Sequence, residues 1–240
     1  MKRILSASIV FALILTLFCG CFGPSAPSLG DVVILGDSFS TFAGHIPEGY
    51  KSWYSSGNDY AGVSKVEHTW WHRVVTATKS NLLLNSSYSG STVCNTGYDG
   101  KDYSDCSFVT RITELIENGF FEEHSVDTLL IYGGLNDCWA QSPRGEVKYS
   151  NITEADLYSF YPALSFLFNS VRNSSPDTRI IFIIEEQLDN GMKDGIRQIA
   201  AHYGVETVEP HDIELHGSHP SGDGMKAIAD QIIAALSEAQ

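Results

Sequence analysis

The sequence predicts a three-layer α/β/α sandwich around a five-stranded parallel sheet. Short apolar runs alternate with segments of helical periodicity along the whole chain. Those runs are continuously apolar rather than alternating, as strands covered on both faces are. Most are followed by polar segments, and in an open parallel sheet the residues just past the strands' carboxyl ends form the ligand crevice.

The elements follow in order. Val32-Val33-Ile34-Leu35 is β-branched, apolar and closed by Gly36, which makes a first buried strand. Leu82-Leu83-Leu84 is a second and Thr128 to Tyr132 a third, the latter ending in glycines. Ile180 to Ile184 is a fourth, and Val205 to Val208 a weaker fifth. Between them, Trp71, Val74, Val75 and Thr78 share a helical face, as do Phe108, Ile112, Leu115 and Ile116. Thr153 with Asp156 reads as a cap opening a helix through Leu157, Phe160, Leu164 and Leu167, with a kink expected at Pro162. Ile196, Ile199 and Ala200 mark another helix, and Met225, Ile228, Ile232 and Leu236 the last.

The chain has 240 residues, enough for one domain of ordinary size. Its formal charge of −14 repels phosphate backbones, which argues against a nucleic-acid partner. Five cysteines are too few for a disulfide scaffold. Cys94 and Cys106 either close a loop or stay free thiols with Cys138; spacing leaves both open. The start, Met1-Lys2-Arg3 and then ILSASIVFALILTLFCG, reads as an export signal over residues 1–20. Phe18-Cys19-Gly20-Cys21 resembles a bacterial lipoprotein cleavage box with Cys21 as the lipidated residue, so the expected membrane link is a lipid anchor. Plain secretion and a retained anchor are the alternatives. Residues 21–30, rich in Pro, Ser and Gly, read as a tether, and 31–240 as the folded domain.

Four polar segments are expected at one sheet edge. After the first strand comes Asp37-Ser38, a serine able to project its hydroxyl above the sheet but needing a base. After the second comes Tyr88-Ser89-Gly90-Ser91, whose glycine can turn its N–H toward an oxyanion. After the third comes Gly134-Leu135-Asn136-Asp137, with an Asn amide as a second donor. Near the C-terminus, His216-Gly217-Ser218-His219-Pro220 puts a histidine ahead of the last helix, where it can act as base. Each alone also suits an ordinary turn. His211, His216 and His219 come without a HExxH or a cysteine pair, so neither metal nor cofactor is expected.

In this order the four segments resemble the SGNH/GDSL hydrolases, a family of esterases and lipases with a flavodoxin-like sheet. The resemblance spans Asp31 to Gln240. It implies Ser38 as nucleophile, His219 as base, and an oxyanion hole from the N–H of Ser38, the N–H of Gly90 and the side chain of Asn136. The family usually carries an acid three residues before the base, where this chain has His216. Glu214 or Asp212 replaces it, a backbone carbonyl orients the ring, or the site is impaired; Glu214 is the first candidate among the acids. The segment from Thr41 to Thr69 holds Phe42, Tyr50, Trp53, Tyr54 and Tyr60, aromatics able to stack on sugars. The expected activity is an exported esterase acting on a small-molecule or glycan ester, foremost an O-acetyl group. An O-acetyltransferase and an inactive carbohydrate binder are the alternatives.

Overall fold

A computed structural model of the protein describes residues 26–238. The leader and the Cys21 box lie outside the described residues. Five strands form one sheet: β1 (Asp31–Gly36), β2 (Asn81–Ser87), β3 (Thr128–Tyr132), β4 (Arg179–Ile183) and β5 (Glu206–Val208). All pairings are parallel and the order is β2-β1-β3-β4-β5. The chain winds from β1 to one side, then crosses back to β3 on the other. The strand order therefore reverses between β1 and β3, and the crevice opens above their carboxyl ends.

Helices α1 (Trp70–Ala77), α2 (Phe108–Glu117), α3 (Phe120–Glu123), α4 (Leu135–Trp139), α5 (Phe160–Ser174), α6 (Asn190–Tyr203) and α7 (Gly222–Glu238) complete the main fold. α1 packs on α7, while α5 packs on both α2 and α6. Right-handed crossovers put the first pair on one face and the other three on the opposite face. Val32 to Leu35, Leu129 to Ile131 and Ile180 to Ile184 are fully enclosed between these layers. Packing begins at Leu29, which is buried and donates its N–H to Ser80 Oγ at 2.8 Å, so the end of the tether joins the core.

Local chemistry explains the helix starts. Thr69, Ser107 and Asp189 each accept an N–H from the first turn of α1, α2 and α6. Gly204 ends α6 in the left-handed conformation. One expectation changes here. Thr153 and Asp156 do form a capping box, but it opens a separate 3-10 turn, Glu154–Tyr158, and α5 starts afresh after Ser159. Pro162 is therefore in the first turn of α5, where its missing N–H has no helical acceptor to lose, and no kink is required. Cys94, Cys106 and Cys138 are free thiols, so no loop is closed. Burial pushes Cys106 up to about 12 and Cys94 higher still.

Arg111 of α2 is buried beneath the crevice. Its Nε donates to the Cys106 carbonyl at 3.0 Å, one Nη to the Ser86 carbonyl, and the other to the Gly36 carbonyl at 3.1 Å and Ser91 Oγ at 2.9 Å. The guanidinium lies 4.6 Å from the Phe108 ring centroid. Every acceptor in this set is neutral, and burial lowers the group to about 10. One side chain thus fastens the ends of β1 and β2 and the loop that follows β2. Arg111→Met is expected to take this donor from the Cys106 and Ser86 carbonyls, while Gly36 keeps the Tyr88 N–H, and to lower unfolding free energy by roughly 3 kcal/mol. Arg111→Lys recovers little, because an ammonium cannot span the fork. Urea unfolding of the three proteins checks this; equal midpoints would refute it.

Candidate active site

Gly36 ends β1 beneath the crossing Ser40 side chain, where an added Cβ would lie 2.5 Å from Ser40 and 2.6 Å from Ser87 Oγ. Only glycine fits that crossing. The chain then turns into the short 3-10 helix Ser38–Ser40, and Asp37 Oδ1 caps it by accepting the Phe39 N–H at 3.0 Å. Asn85 Nδ2 holds the Ser40 carbonyl at 2.9 Å, and Trp70 Nε1 donates to Ser40 Oγ at 3.2 Å. Ser38 is thereby presented at the head of a rigid turn, buried except for its access to the crevice.

His219 arrives from the opposite side. β6 (Leu215–His216) and β7 (His219–Pro220) pair antiparallel across the two-residue turn Gly217-Ser218. Gly217 takes φ of 60° there. Several anchors hold this hairpin. Tyr54 OH donates to the Pro220 carbonyl at 2.9 Å, Tyr60 OH to the His216 carbonyl, and the Glu186 carboxylate accepts the Asp212 and Ile213 N–H groups at 3.1 Å each. The result is a His219 Nε2 to Ser38 Oγ distance of 2.9 Å between residues 181 positions apart. That is hydrogen-bond reach for a nucleophile and its base.

Around this pair lies an open cavity of about 390 Å³, lined by Ser38, Trp53, Ser89, Gly90, Tyr98, Asn136, Trp139, Ser218 and His219. Four of the five residues singled out in the sequence meet here. Gly90 has φ of 86° and nothing within 4 Å of the place a Cβ would take, so its backbone lies bare to the cavity. Among the described residues, no acceptor takes the N–H of Ser38 or of Gly90. Asn136 Nδ2 donates to the Ser91 carbonyl at 3.0 Å and to Asp37 Oδ2 at 3.3 Å, while its Oδ1 accepts from Tyr98 OH at 2.7 Å. Its amide is thus oriented from both ends. Beside it, Asp137 accepts the Val93 N–H at 2.7 Å and the Cys94 N–H at 3.1 Å, steadying the chain beyond Gly90. The arrangement suits attack on a carbonyl and stabilisation of the oxyanion that forms.

The fifth residue, Glu214, is not part of it. Its carboxylate accepts from Ser221 Oγ at 2.6 Å, the hydroxyl that also caps α7 by taking the Gly224 N–H at 3.1 Å. Asp212 is exposed beside His211. The atom at His219 Nδ1 is Ser218 Oγ, 2.9 Å away. Trp53 lies flat against the imidazole, 3.7 Å between centroids and 3° between planes. Sequence reasoning read Trp53 as a sugar platform, but one face of its indole is covered by His219. The Gly-Ser-His order in a tight turn was the available signal for Ser218. Trp70 and Trp71 are wholly buried and belong to the core.

Burial governs the electrostatics. It pushes Asp37 and Asp137 up to about 7 each. It lowers His219 to about 4, and no neighbouring carboxylate counters the effect. His219 is accordingly neutral at pH 7, the form a general base needs.

Comparisons with known proteins agree with this geometry. The family model for GDSL-like lipase/acylhydrolases matches residues 30–236. A solved structure from Bacteroides ovatus, described as a GDSL-like lipase, is 38% identical with a TM-score of 0.81, covering 88% of this chain and 99% of that one. One from Bacteroides uniformis with the same description is 41% identical with a TM-score of 0.78, covering 87% and 96%. An active-site mutant of a family two carbohydrate esterase from Clostridium thermocellum shares the fold at 15% identity and a TM-score of 0.55, covering 88% of this chain and 64% of that one. No curated protein matches.

The buried imidazole yields a prediction. His219 stays uncharged as the pH falls until about 4. The folded protein therefore binds fewer protons than the unfolded chain between about pH 4 and the ordinary histidine value near 6.5. This ring's contribution to stability is complete above that window and is lost as pH falls through it. An NMR titration of His219 is expected to show a midpoint well below 6.5; a midpoint at or above 6.5 would contradict the burial argument.

Proposed function

The chain belongs to the GDSL-like lipase/acylhydrolase family, and from that premise we propose that it is an exported serine esterase removing a short acyl group, foremost acetyl, from a carbohydrate. In this reading His219 Nε2 takes the Ser38 proton as Oγ adds to the ester carbonyl. The N–H groups of Ser38 and Gly90 receive the oxyanion, and the Asn136 amide joins them by giving up its 3.3 Å hydrogen bond to Asp37. Collapse expels the alcohol, which takes the proton back from His219 and leaves an acyl-serine. Water, deprotonated by His219, adds to that ester, and Ser38 departs with the proton, releasing the acid.

One observation carries the substrate class. The cavity wall contains no aliphatic side chain. The exposed large hydrophobics among the described residues, Trp53 and Trp139, both stand at this site. Beyond the shared wall of Ser89, Gly90 and Tyr98 lies a second cavity of about 250 Å³, bounded by Lys51, Tyr88, Asp102, Tyr103 and Asp105. A hydrocarbon tail there would strip water from charged groups without replacing their hydrogen bonds. A polyol offers donors and acceptors to the charges and C–H faces to the rings. The shared fold of the Clostridium carbohydrate esterase supports the same direction. The basic-then-apolar leader and its Cys21 box support export and a lipid anchor.

The test is acetate release from a mono-O-acetylated disaccharide, set against 4-nitrophenyl palmitate. Preference for the sugar ester of at least about tenfold in kcat/KM is expected, since a long tail finds no aliphatic wall in the first cavity and charged groups in the second. Ser38→Ala should reduce turnover at least about a thousandfold. Preference for the palmitate ester would sink the carbohydrate reading, and full activity in Ser38→Ala the serine mechanism. Lys51→Ala should raise KM for the disaccharide ester about three- to tenfold, the loss of one charged hydrogen bond. An unchanged KM would remove the second cavity as the place where the sugar rests.

A further inference from the structure

His219 has no carboxylate partner among the described residues. Glu214 is held by Ser221, and Asp212 lies in solvent beside His211. Asp37 faces the Phe39 N–H and Asn136, and Glu185 is taken by Tyr132 and Gln187. Building on the serine-hydrolase reading, we propose that Ser218 and Trp53 jointly replace the missing acid as positioning residues. Ser218 Oγ accepts the proton on Nδ1, Trp53 fixes the plane of the ring, and Nε2 is left bare toward Ser38.

The geometry supports each half. A Nδ1–H donated to Ser218 Oγ at 2.9 Å leaves Nε2 as the lone-pair nitrogen, 2.9 Å from Ser38 Oγ. An orienting group selects the tautomer in this way whether it is charged or neutral. Ser218 owes its position to the hairpin turn, which Tyr54, Tyr60 and Glu186 hold in place. Trp53 is tied to the nucleophile itself. Its backbone N–H donates to Thr41 Oγ1 at 2.8 Å, and that hydroxyl donates to the Ser38 carbonyl at 3.0 Å. Base and nucleophile are therefore referenced to one turn.

The groups that face the ring are Phe39 and Trp139 from the strand-end segments, Tyr54 and Tyr60 from the long loop, and Trp53. None is a carboxylate or a cation. His216, the ring's backbone partner in the hairpin, is exposed and meets Tyr60 edge to face. When His219 becomes imidazolium, a neutral oxygen and the indole π face stabilise it in place of a full negative charge. The device supplies orientation in full and charge stabilisation only in part.

Two measurements on the intact protein test this. Nitrogen-15 NMR of histidine-labelled protein is expected to show His219 protonated on Nδ1. Ser218→Ala should mix the two tautomers and lower kcat about tenfold with little change in KM, the loss of one hydrogen bond. Ser218→Thr should restore both. Ser218→Asp should raise the His219 titration midpoint by roughly one pH unit or more, by adding the absent negative charge. Trp53→Ala should keep the tautomer and lower kcat, and Trp53→Phe should recover part of it. Protonation on Nε2 in the unmodified protein would overturn the proposal. So would a Ser218→Ala protein with unchanged tautomer and kcat. If Ser38→Ala proves fully active, the serine reading fails, and the NMR arm still decides whether Ser218 sets the tautomer.

Discussion

The buried guanidinium of Arg111 is the constraint from which the site is built. The ends of β1 and β2 lie under the crevice, where the Gly36 carbonyl takes the Tyr88 N–H at 3.1 Å and still has room for a second donor. Arg111 satisfies the Gly36 and Ser86 carbonyls together, and holds Ser91 with the same fork. A planar group with five donors can serve such divergent acceptors at once. Its other contact, to Cys106, fixes the loop that bounds the second cavity. The turn that carries Ser38 and the loop that carries Gly90 are thus both tied to one side chain from outside the crevice.

Above that base, the site works by burial more than by charge. Asp37 and Asp137 carry out their structural tasks, capping a 3-10 turn and holding the loop after Gly90, from positions that favour their neutral forms. The imidazole is likewise kept neutral by its surroundings. In such an environment a carboxylate beside the ring would carry a large desolvation cost. A hydroxyl and a stacked indole avoid that cost. In the proposed mechanism they exchange some stabilisation of the imidazolium for a base that remains uncharged in mildly acidic surroundings.

The fold was legible because its signals are local. Continuous apolar runs at Val32 to Leu35 and Thr128 to Tyr132, short, rich in β-branched or aromatic residues and closed by glycine, read as strands covered on both faces. The segments after them could only gather at one edge. Pro162 shows the limit of that reading. The capping box at Thr153 announced a helix start, but nothing local showed that the turn it opens would close before Phe160. That boundary is set partly by the Pro143 carbonyl, which takes the Phe160 N–H at 2.8 Å. The aromatic loop was similarly ambiguous. Trp53 and Tyr54 are adjacent, yet one stacks on His219 at the cavity and the other is buried with its hydroxyl on Pro220.

By itself the sequence determined the α/β architecture, the family and the presence of Ser38, Gly90, Asn136 and His219 at one edge. Periodicity, glycine placement and motif order are written in neighbouring residues, and topology rules carry them to a common crevice. What stands at the second nitrogen of His219 was decided only in three dimensions. Glu214 precedes the hairpin and Ser218 lies in its turn, and the Gly-Ser-His order places a hydroxyl next to the histidine without saying which way it points. The hairpin's pairing and the cap on α7 turn the carboxylate to Ser221 and the hydroxyl to the ring. A side chain's direction in a tight turn depends on contacts from distant segments, here Tyr54, Tyr60 and Glu186, and no local pattern encodes them.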